Sequence, residues 1–328
     1  MINDFLQWTR DNEYEVEPFL LKEENGYKLF VHDTGILELI PNSPTDKQFV
    51  LSCAIHGNET APIEVINQII SKIISNEITV KHSTLFIFGN PKAMNIAKRF
   101  SDENLNRLFA GGLKEKESNY ETKRANKIIS ILENFYMPDT EKSHYDLHTA
   151  IRDSKIEKFA MSPFSRTKTL SKTQAALLSD IGIEAIVQGN APATTFSYHS
   201  SSLFDAHSFT LELGKVRPFG ENCSTMQGRL ERILISLLDD SYQFHSEVSD
   251  LKYFTVDHEI IRNKDDFNFS FSEDVANFTS FKKGELISVD AKEEYHSNKD
   301  GSSILFPNSK VRIGQRACLI ISAKDLPL

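Results

Sequence analysis

Residues 49–60 read FVLSCAIHGNET, and their pattern is the clearest indication of the fold class. Its first seven residues form a continuous apolar run with the length of a buried β-strand. A polar turn follows at 56–59, and isoleucines then recur at helical spacing between 63 and 74, with Thr60 as the predicted helix cap. A buried strand that leads through a short turn into a helix is the unit from which parallel sheets are built.

The same alternation continues along the chain. Further strands are predicted at 27–32, 35–40, 84–88, directly before 146–148, at 184–187 and at 208–213, and further helices at 120–135, 170–181 and 228–238. This order predicts an α/β fold with a mixed, mostly parallel sheet and helices on both faces. Ligands bind such sheets beyond the carboxyl ends of the strands, so we expect the functional site there.

After about residue 245 the pattern changes. Long helical periodicity disappears, and short β-like runs between 251 and 321 are separated by turn residues. We therefore predict two domains, a catalytic α/β domain of residues 1–245 and a smaller β-rich C-terminal domain of residues 246–328.

Composition narrows the range of functions. The chain has 328 residues and a net charge of −9, which gives no general support for nucleic-acid binding. No apolar stretch approaches the roughly 20 residues of a membrane span, and the N-terminus lacks a secretory leader pattern. The three widely spaced cysteines indicate neither a disulfide framework nor a cysteine-rich metal site. We expect a cytoplasmic protein without nucleic-acid or membrane partners, and a homo-oligomer is compatible with the sequence.

Two short polar segments about ninety positions apart carry the expected chemistry. Each follows a predicted buried strand. His56, Glu59 and His148 together offer two imidazoles and one carboxylate, the ligand set of a catalytic zinc site that keeps one coordination position open. A metal-bound histidine usually donates its second ring N–H. Asp146, on the same strand face as His148, could accept it, and a backbone carbonyl is the alternative.

Each half of this pattern also has an ordinary explanation. A His-x-x-Glu pair arises by chance in a chain of this composition, as a surface histidine followed by an acid that favours the start of a helix. A histidine at a strand end can likewise pair with an aspartate for packing alone. The shared position of both segments at strand ends favours the metal site.

Glu212 is flanked by leucines inside a predicted buried strand. Burying a carboxylate without a partner is unfavourable, so its presence there needs a reason. Placed beside the metal, it would act as the general base for the attacking water. The alternative is a structural glutamate paired with Lys215 or with a helix, and the residues alone do not separate the two.

A polar loop follows the strand that ends near residue 90. Its Arg99, Asn106 and Arg107 suit a substrate with carboxylates, because guanidinium groups bind carboxylates in bidentate fashion, and Arg152 could join them. The alternative is surface arginines on a solvated helix. The serine-rich segment 198–202 shows no nucleophile arrangement, and we predict a loop there, either lining the pocket or on the surface.

Together the motifs resemble a known family. In chain order they are residues 56–62 (HGNETAP), 89–91 (GNP), 104–107 (NLNR), 146–152 (DLHTAIR), 211–215 (LELGK) and 305–308 (LFPN). The chain resembles the succinylglutamate desuccinylases, relatives of aspartoacylase and of the zinc carboxypeptidases. The resemblance implies a carboxypeptidase-like α/β domain, a β-rich C-terminal domain and a role in the succinyl pathway of arginine breakdown in bacteria.

The resemblance also implies roles for single residues. It implies one zinc ion per subunit bound by His56, Glu59 and His148, with Glu212 as the catalytic base. It places Arg99, Asn106 and Arg107 in the substrate pocket.

The chain departs from the family pattern at two positions. Asn104 stands where the family often has Asp, which bears on the geometry of the loop. Ser202 stands where related acylases often carry an arginine, ten positions before the catalytic glutamate, which leaves open which cation binds the far carboxylate.

The expected function is hydrolysis of the linear amide of N-succinyl-L-glutamate to succinate and L-glutamate. The alternatives are a deacylase of another N-acylated acidic amino acid, as in aspartoacylase, or a metallo-carboxypeptidase. A zinc-retaining ligand-binding protein without turnover is the alternative from another class.

Overall fold

The computed structural model describes residues 2–24, 26–243, 248 and 250–328. The chain opens with a short helix and an antiparallel meander, composed of α1 (Phe5–Asp11), β1 (Phe19–Glu23), β2 (Tyr27–Asp33) and β3 (Ile36–Pro41). Burial alternates along β2, as expected for a strand with one face on the core.

Strands and helices then alternate, as the sequence predicts. The elements are β4 (Lys47–Cys53), α2 (Thr60–Ile74), β5 (Ser83–Phe88), α3 (Pro91–Asn95), a 3₁₀ turn (Leu105–Arg107), α4 (Tyr120–Phe135), β6 (Glu141–Ala150), β7 (Lys158–Ser162), α5 (Lys172–Ile181), β8 (Ala185–Gln188), α6 (Phe196–Phe204), β9 (His207–Lys215) and α7 (Ser224–Leu238).

Local chemistry sets several helix ends. Asn119 and Thr122 form a reciprocal capping box at the start of α4, which satisfies two backbone N–H groups. Helix α5 ends at Gly182, whose φ of 101° favours glycine. Helix α2 departs from the prediction, because Glu59 occupies its N-cap position and the hydroxyl of Thr60 donates to the carbonyl of Arg217 instead.

Among the described residues, thirteen strands form one sheet in the order β1-β2-β3-β5-β4-β6-β9-β7-β8, followed by four strands from the C-terminal part of the chain. Strands β5, β4, β6 and β9 run parallel, so their carboxyl ends lie at one edge. Strand β7 pairs antiparallel with β9 and parallel with β8. Strands β7 and β8 therefore run opposite to the four central strands. The mixed sheet of the predicted fold is confirmed, and its parallel centre provides the edge where the predicted site residues gather.

Helices cover both faces of this sheet. Helices α2, α5 and α7 pack into one core, for example through Ile66, Leu177 and Leu230. Helices α4 and α6 pack into the other, through Ile128 and Phe196. Burying each such side chain contributes about 2 kcal/mol of hydrophobic stabilisation. The predicted helices on both faces are therefore confirmed.

The C-terminal part is rich in strands, as predicted. It contains β10 (Lys252–Ile261), β11 (Asn268–Phe269), β12 (Ser280–Phe281), β13 (Leu286–Asp290), β14 (Glu293–His296), β15 (Ser302–Leu305) and β16 (Arg316–Lys324). Strand β10 pairs with β8, so part of this region extends the large sheet, while β11, β13 and β14 form a separate small sheet. The predicted domain boundary between 245 and 246 lies outside the described residues and stays a prediction.

Helices α1 and α3 and strands β1 and β7 lie where the sequence pattern predicts no element. The loop expected at 198–202 is wrong, because residues 196–204 form helix α6. Thr195 caps this helix by accepting the N–H of Tyr198. Within the described ranges, no helix is both long enough and apolar enough to cross a bilayer.

Candidate active site

The turn between β4 and α2 carries His56 and Glu59. Ala54 leaves the strand with a φ of 55°, which turns the chain out of the sheet. Gly57 packs so closely against α3 that a Cβ atom would lie 2.1 Å from the carbonyl carbon of Ala93. Glycine is required there, because any side chain would push the turn away from the edge of the sheet.

Three predicted ligands converge at this edge. The ligand atoms of His56, Glu59 and His148 all lie within 4.8 Å of one another. Nδ1 of His56 is 2.9 Å from Glu59 Oε1, and Nδ1 of His148 is 2.9 Å from Glu59 Oε2. All three residues are buried. The structure thus assembles a group that could hold a metal ion from two segments about ninety residues apart.

The outer ring nitrogens of both histidines have partners of their own. Nε2 of His148 lies 2.9 Å from Asp146 Oδ2, and Nε2 of His56 lies 3.0 Å from Asn104 Oδ1. A neutral imidazole that donates from Nε2 has a lone pair on Nδ1, so both inner nitrogens can accept a metal ion. Asn104, noted above as a departure from the family, is the amide that orients His56.

A buried chain of hydrogen bonds continues behind Asp146. The hydroxyl of Ser52 donates to Asp146 Oδ1 at 2.6 Å, and Nε2 of His144 lies 2.8 Å from the Ser52 hydroxyl. Nδ1 of His144 lies 2.8 Å from the hydroxyl of Ser200. Burial lowers the pKa of His144 to about 4, so its ring is neutral and can donate on one side and accept on the other.

The charge states of the cluster suit a cation. Burial favours the neutral form of Glu59, but His56 and His148 outweigh it and hold its pKa well below the usual value. Burial and the Arg99 guanidinium lower the pKa of His56 to about 4. Burial also opposes the charged form of His148, yet Asp146 and Glu59 raise its pKa. A metal ion would displace the proton that His148 carries.

This donor set fits zinc. Two imidazole nitrogens and one carboxylate oxygen are zinc ligands, whereas magnesium and calcium prefer sites made of oxygen alone. The outer hydrogen bonds already hold the rings in the orientation that ligation needs.

Glu212 stands beside this cluster. Its Cα atom pairs with that of His148 across the parallel strands β9 and β6, so the two side chains leave the same face of the sheet. The residue is buried, and Oε2 has no hydrogen-bond partner among the described residues. Burial, reinforced by Glu59 and opposed by His148, raises its pKa to about 7. A carboxylate with one unpartnered oxygen and that pKa can accept and return a proton near neutral pH.

The structural alternative for Glu212 is a pair with Lys215 or with a helix. The Lys215 ammonium instead lies 2.5 Å from Asp153 Oδ1, on the surface. An ion pair with Lys215 therefore does not explain the burial of Glu212.

The predicted arginines differ in their surroundings. Nη1 of Arg99 lies 2.8 Å from Glu59 Oε1, directly at the cluster. Arg107 donates to the carbonyl of Asn106 at 2.8 Å, and burial together with the charges of Arg316 and Arg99 lowers its pKa to about 9. Guanidinium groups that repel one another in a desolvated position favour an anion between them.

Asn106 and Arg152 have structural partners as well. Asn106 Oδ1 accepts the N–H of Phe196 at 2.8 Å, so any substrate contact falls to its Nδ2 group. Arg152 donates to the backbone carbonyls of Glu273 and Val275, in the C-terminal part of the chain. These bonds tie Arg152 to the C-terminal strands rather than to the metal cluster.

Several residues of the site were missed by reasoning from the sequence. Ser52 and His144 support Asp146 from within apolar-looking strands, where only their polarity was a signal. Arg316 lies on β16, more than 200 residues from Arg107, and nothing local in the sequence links the two.

Comparison with known proteins agrees with this geometry. Residues 45–238 match the family model described as the succinylglutamate desuccinylase/aspartoacylase catalytic domain, and residues 249–324 match the AstE/AspA barrel-sandwich hybrid domain. The chain belongs to the succinylglutamate desuccinylase/aspartoacylase family. The C-terminal strands described above are thus the hybrid domain of this family.

Individual members of the family are similar over nearly the whole chain. A protein of Idiomarina loihiensis named succinylglutamate desuccinylase is 46% identical over 329 residues, which cover 98% of this chain and 96% of the relative. The crystal structure of the desuccinylase from Vibrio parahaemolyticus superposes with a TM-score of 0.90 at 37% identity and covers 98% of this chain and 96% of that one. The desuccinylase from Vibrio cholerae gives a TM-score of 0.90 at 34% identity, covering 99% and 98%.

Proposed function

We propose that this protein hydrolyses N-succinyl-L-glutamate to succinate and L-glutamate with the help of one zinc ion per subunit. The observation that carries the proposal is the position of Glu212, which is buried and unpartnered at Oε2 and paired in register with a histidine of the metal-binding group. The names of the relatives supply the choice of substrate.

In this proposal His56 and His148 bind the zinc ion through Nδ1, and Glu59 binds it through its carboxylate. When bound, zinc supplies a Lewis acid that polarises an amide carbonyl and acidifies a water molecule. Asp146 and Asn104 hold the two rings in place.

Glu212 transfers a proton from the attacking water to the leaving amine. Its free Oε2 atom takes a proton from the water that attacks the amide carbon, and then returns it to the nitrogen of the departing glutamate. In the metal-free protein burial raises the pKa of this carboxylate to about 7, and a buried carboxylate with a raised pKa suits both transfers.

Arginines orient the substrate. Arg99, beside the cluster, is placed to stabilise the negative charge that develops on the carbonyl oxygen. Arg107 and the amide of Asn106 bind a substrate carboxylate. These local cations offset the repulsion that a net charge of −9 exerts on an anionic substrate.

The metabolic pathway and the location in the cell are proposed from the resemblance to the family. We propose a place in the succinyl pathway of arginine breakdown, within the cytoplasm. We also propose that the catalytic and β-rich domains divide near residue 245. Arg152 remains a proposed substrate-binding residue, acting from the junction with the C-terminal strands.

A substrate panel tests the proposal. Purified protein is assayed on N-succinylglutamate, N-acetylaspartate and a short peptide, each with and without a chelator. The proposal expects the highest kcat/KM for N-succinylglutamate and loss of activity with the chelator. Preference for N-acetylaspartate or the peptide would favour one of the other hydrolases. Stoichiometric zinc with ligand binding but no product would favour a binding protein.

A further inference from the structure

Glu121 is the second residue of α4 and is fully buried. Its carboxylate points at the segment 99–107, here called the arginine loop. Oε1 accepts the N–H of Ser101 at 2.7 Å and the Ser101 hydroxyl at 2.8 Å. Oε2 accepts the N–H of Asp102 at 3.1 Å and that of Glu103 at 3.3 Å. Three successive backbone N–H groups of the loop are thus held by one carboxylate.

A further bond ties Glu121 to the end of strand β5. Nδ2 of Asn90 donates to Glu121 Oε1 at 3.0 Å, while Oδ1 of the same Asn90 caps α3 by accepting the N–H of Ala93. Burying a carboxylate is unfavourable unless donors replace its lost water, and these five donors do so. The strand end, helix α4 and the arginine loop therefore meet at one carboxylate.

The arginine loop carries side chains of the candidate active site. Arg99, the first residue of the loop, forms an ion pair with Glu59. Asn104, near the middle of the loop, orients the ring of His56. Arg107 closes the loop. The hydrogen bonds of Glu121 fall between Arg99 and Asn104, so they fix the backbone that connects these groups.

We propose that Glu121 is the positioning residue of the arginine loop, which sets the affinity for carboxylate-bearing substrates through Arg107 and holds the backbone of Arg99. The choice of substrate rests on the proposed function. Glu121 orders the loop before substrate arrives, so binding does not have to immobilise the two guanidinium groups, and affinity is higher as a result.

The test is Glu121→Gln, which keeps the size of the side chain but turns an amide NH₂ group toward the N–H donors of the loop. We expect KM for N-succinylglutamate to rise about tenfold, kcat to change by a smaller factor, and zinc stoichiometry to stay the same. Hydrogen exchange of the amides of 101–103 should accelerate, with exchange in β4 and β6 unchanged. Glu133→Gln, on an exposed position of the same helix, is the control and should behave as wild type.

Two results would overturn the positioning role. One is an unchanged KM together with unchanged exchange at 101–103. The other is faster exchange throughout the core strands, which would make Glu121 a residue of general stability. If Glu121→Gln does not fold, Ser101→Ala removes one of the bonds, and a KM equal to that of wild type would then contradict the proposal.

The exchange measurement needs no substrate. A wild-type protein that does not hydrolyse N-succinylglutamate would contradict the proposed function, while accelerated exchange confined to 101–103 in Glu121→Gln would still support the role of Glu121 in ordering the loop.

Discussion

His148 and Glu212 are paired across two adjacent parallel strands, with their Cα atoms in register at the carboxyl ends of β6 and β9. The backbone hydrogen bonds of the sheet therefore fix the distance between a metal ligand and the proposed base. Sites built on strands hold their geometry more tightly than sites on loops. His56 and Glu59 approach from the turn after β4, so these two candidate ligands depend on a loop.

Replacing Glu212 should abolish turnover without loss of the bound zinc. Glu212→Gln keeps the shape but cannot accept a proton, so kcat for N-succinylglutamate should fall about 1,000-fold. Zinc content, measured by atomic emission, should remain equal to that of wild type. Glu157→Gln, on an exposed glutamate nearby, is the control. A Glu212→Gln enzyme with normal kcat would remove this residue from the mechanism.

The raised pKa of Glu212 predicts a pH-dependent stability of the metal-free protein. Burial raises this pKa from 4.5 to about 7, so folding favours the protonated form. The resulting stabilisation is present below about pH 4.5 and is lost as the pH rises through 7.

Glu212→Gln removes this linkage. Its free energy of unfolding, measured with urea in the presence of a chelator, should exceed that of wild type by about 3 kcal/mol at pH 8, with a smaller difference at pH 5. Equal stabilities at both pH values would show that Glu212 is not desolvated in solution.

Asp146 should control metal affinity through His148. Asp146→Asn weakens the acceptor for the ring N–H at Nε2, and zinc affinity should fall about 10- to 100-fold in competition with a fluorescent chelator. Asp153→Asn alters an exposed aspartate that pairs with Lys215 and should leave the affinity unchanged. Unaltered zinc binding in Asp146→Asn would show that the orientation of His148 does not depend on this carboxylate.

Arg107 should contribute to the binding of substrate carboxylates. In Arg107→Ala the bidentate donor is lost, and kcat/KM for N-succinylglutamate should fall about 10- to 100-fold, mainly through KM. Arg166→Ala, at an exposed arginine, provides the comparison. If both variants have the kcat/KM of wild type, Arg107 lies outside the substrate pocket.

The sequence predicts the site residues that lie at or near strand ends. The apolar runs before His56 and before Asp146 stop where polar residues begin, and parallel strands bring such positions to one edge. The three candidate ligands and Glu212 could be named for that reason. Helix α4 was predicted with its observed ends, 120–135, because its apolar positions recur at helical spacing.

Other features depend on contacts that local sequence does not encode. Helix α6 is rich in serine, which hides its periodicity, and it is stabilised by packing of Phe196 and by its cap at Thr195. The reversal of direction at β7 depends on which strand it pairs with. Glu121 could be seen as an acid in the first turn of a helix, but its bonds to the arginine loop could not.

We propose above that His56, Glu59 and His148 bind one zinc ion beside Glu212. Anomalous diffraction from a crystal of the zinc-loaded protein, recorded on both sides of the zinc absorption edge, measures this directly. We predict one strong peak per subunit about 2.0–2.2 Å from Nδ1 of each histidine and from a carboxylate oxygen of Glu59. A protein that binds no zinc, or a peak at other residues, would rule out this metal site.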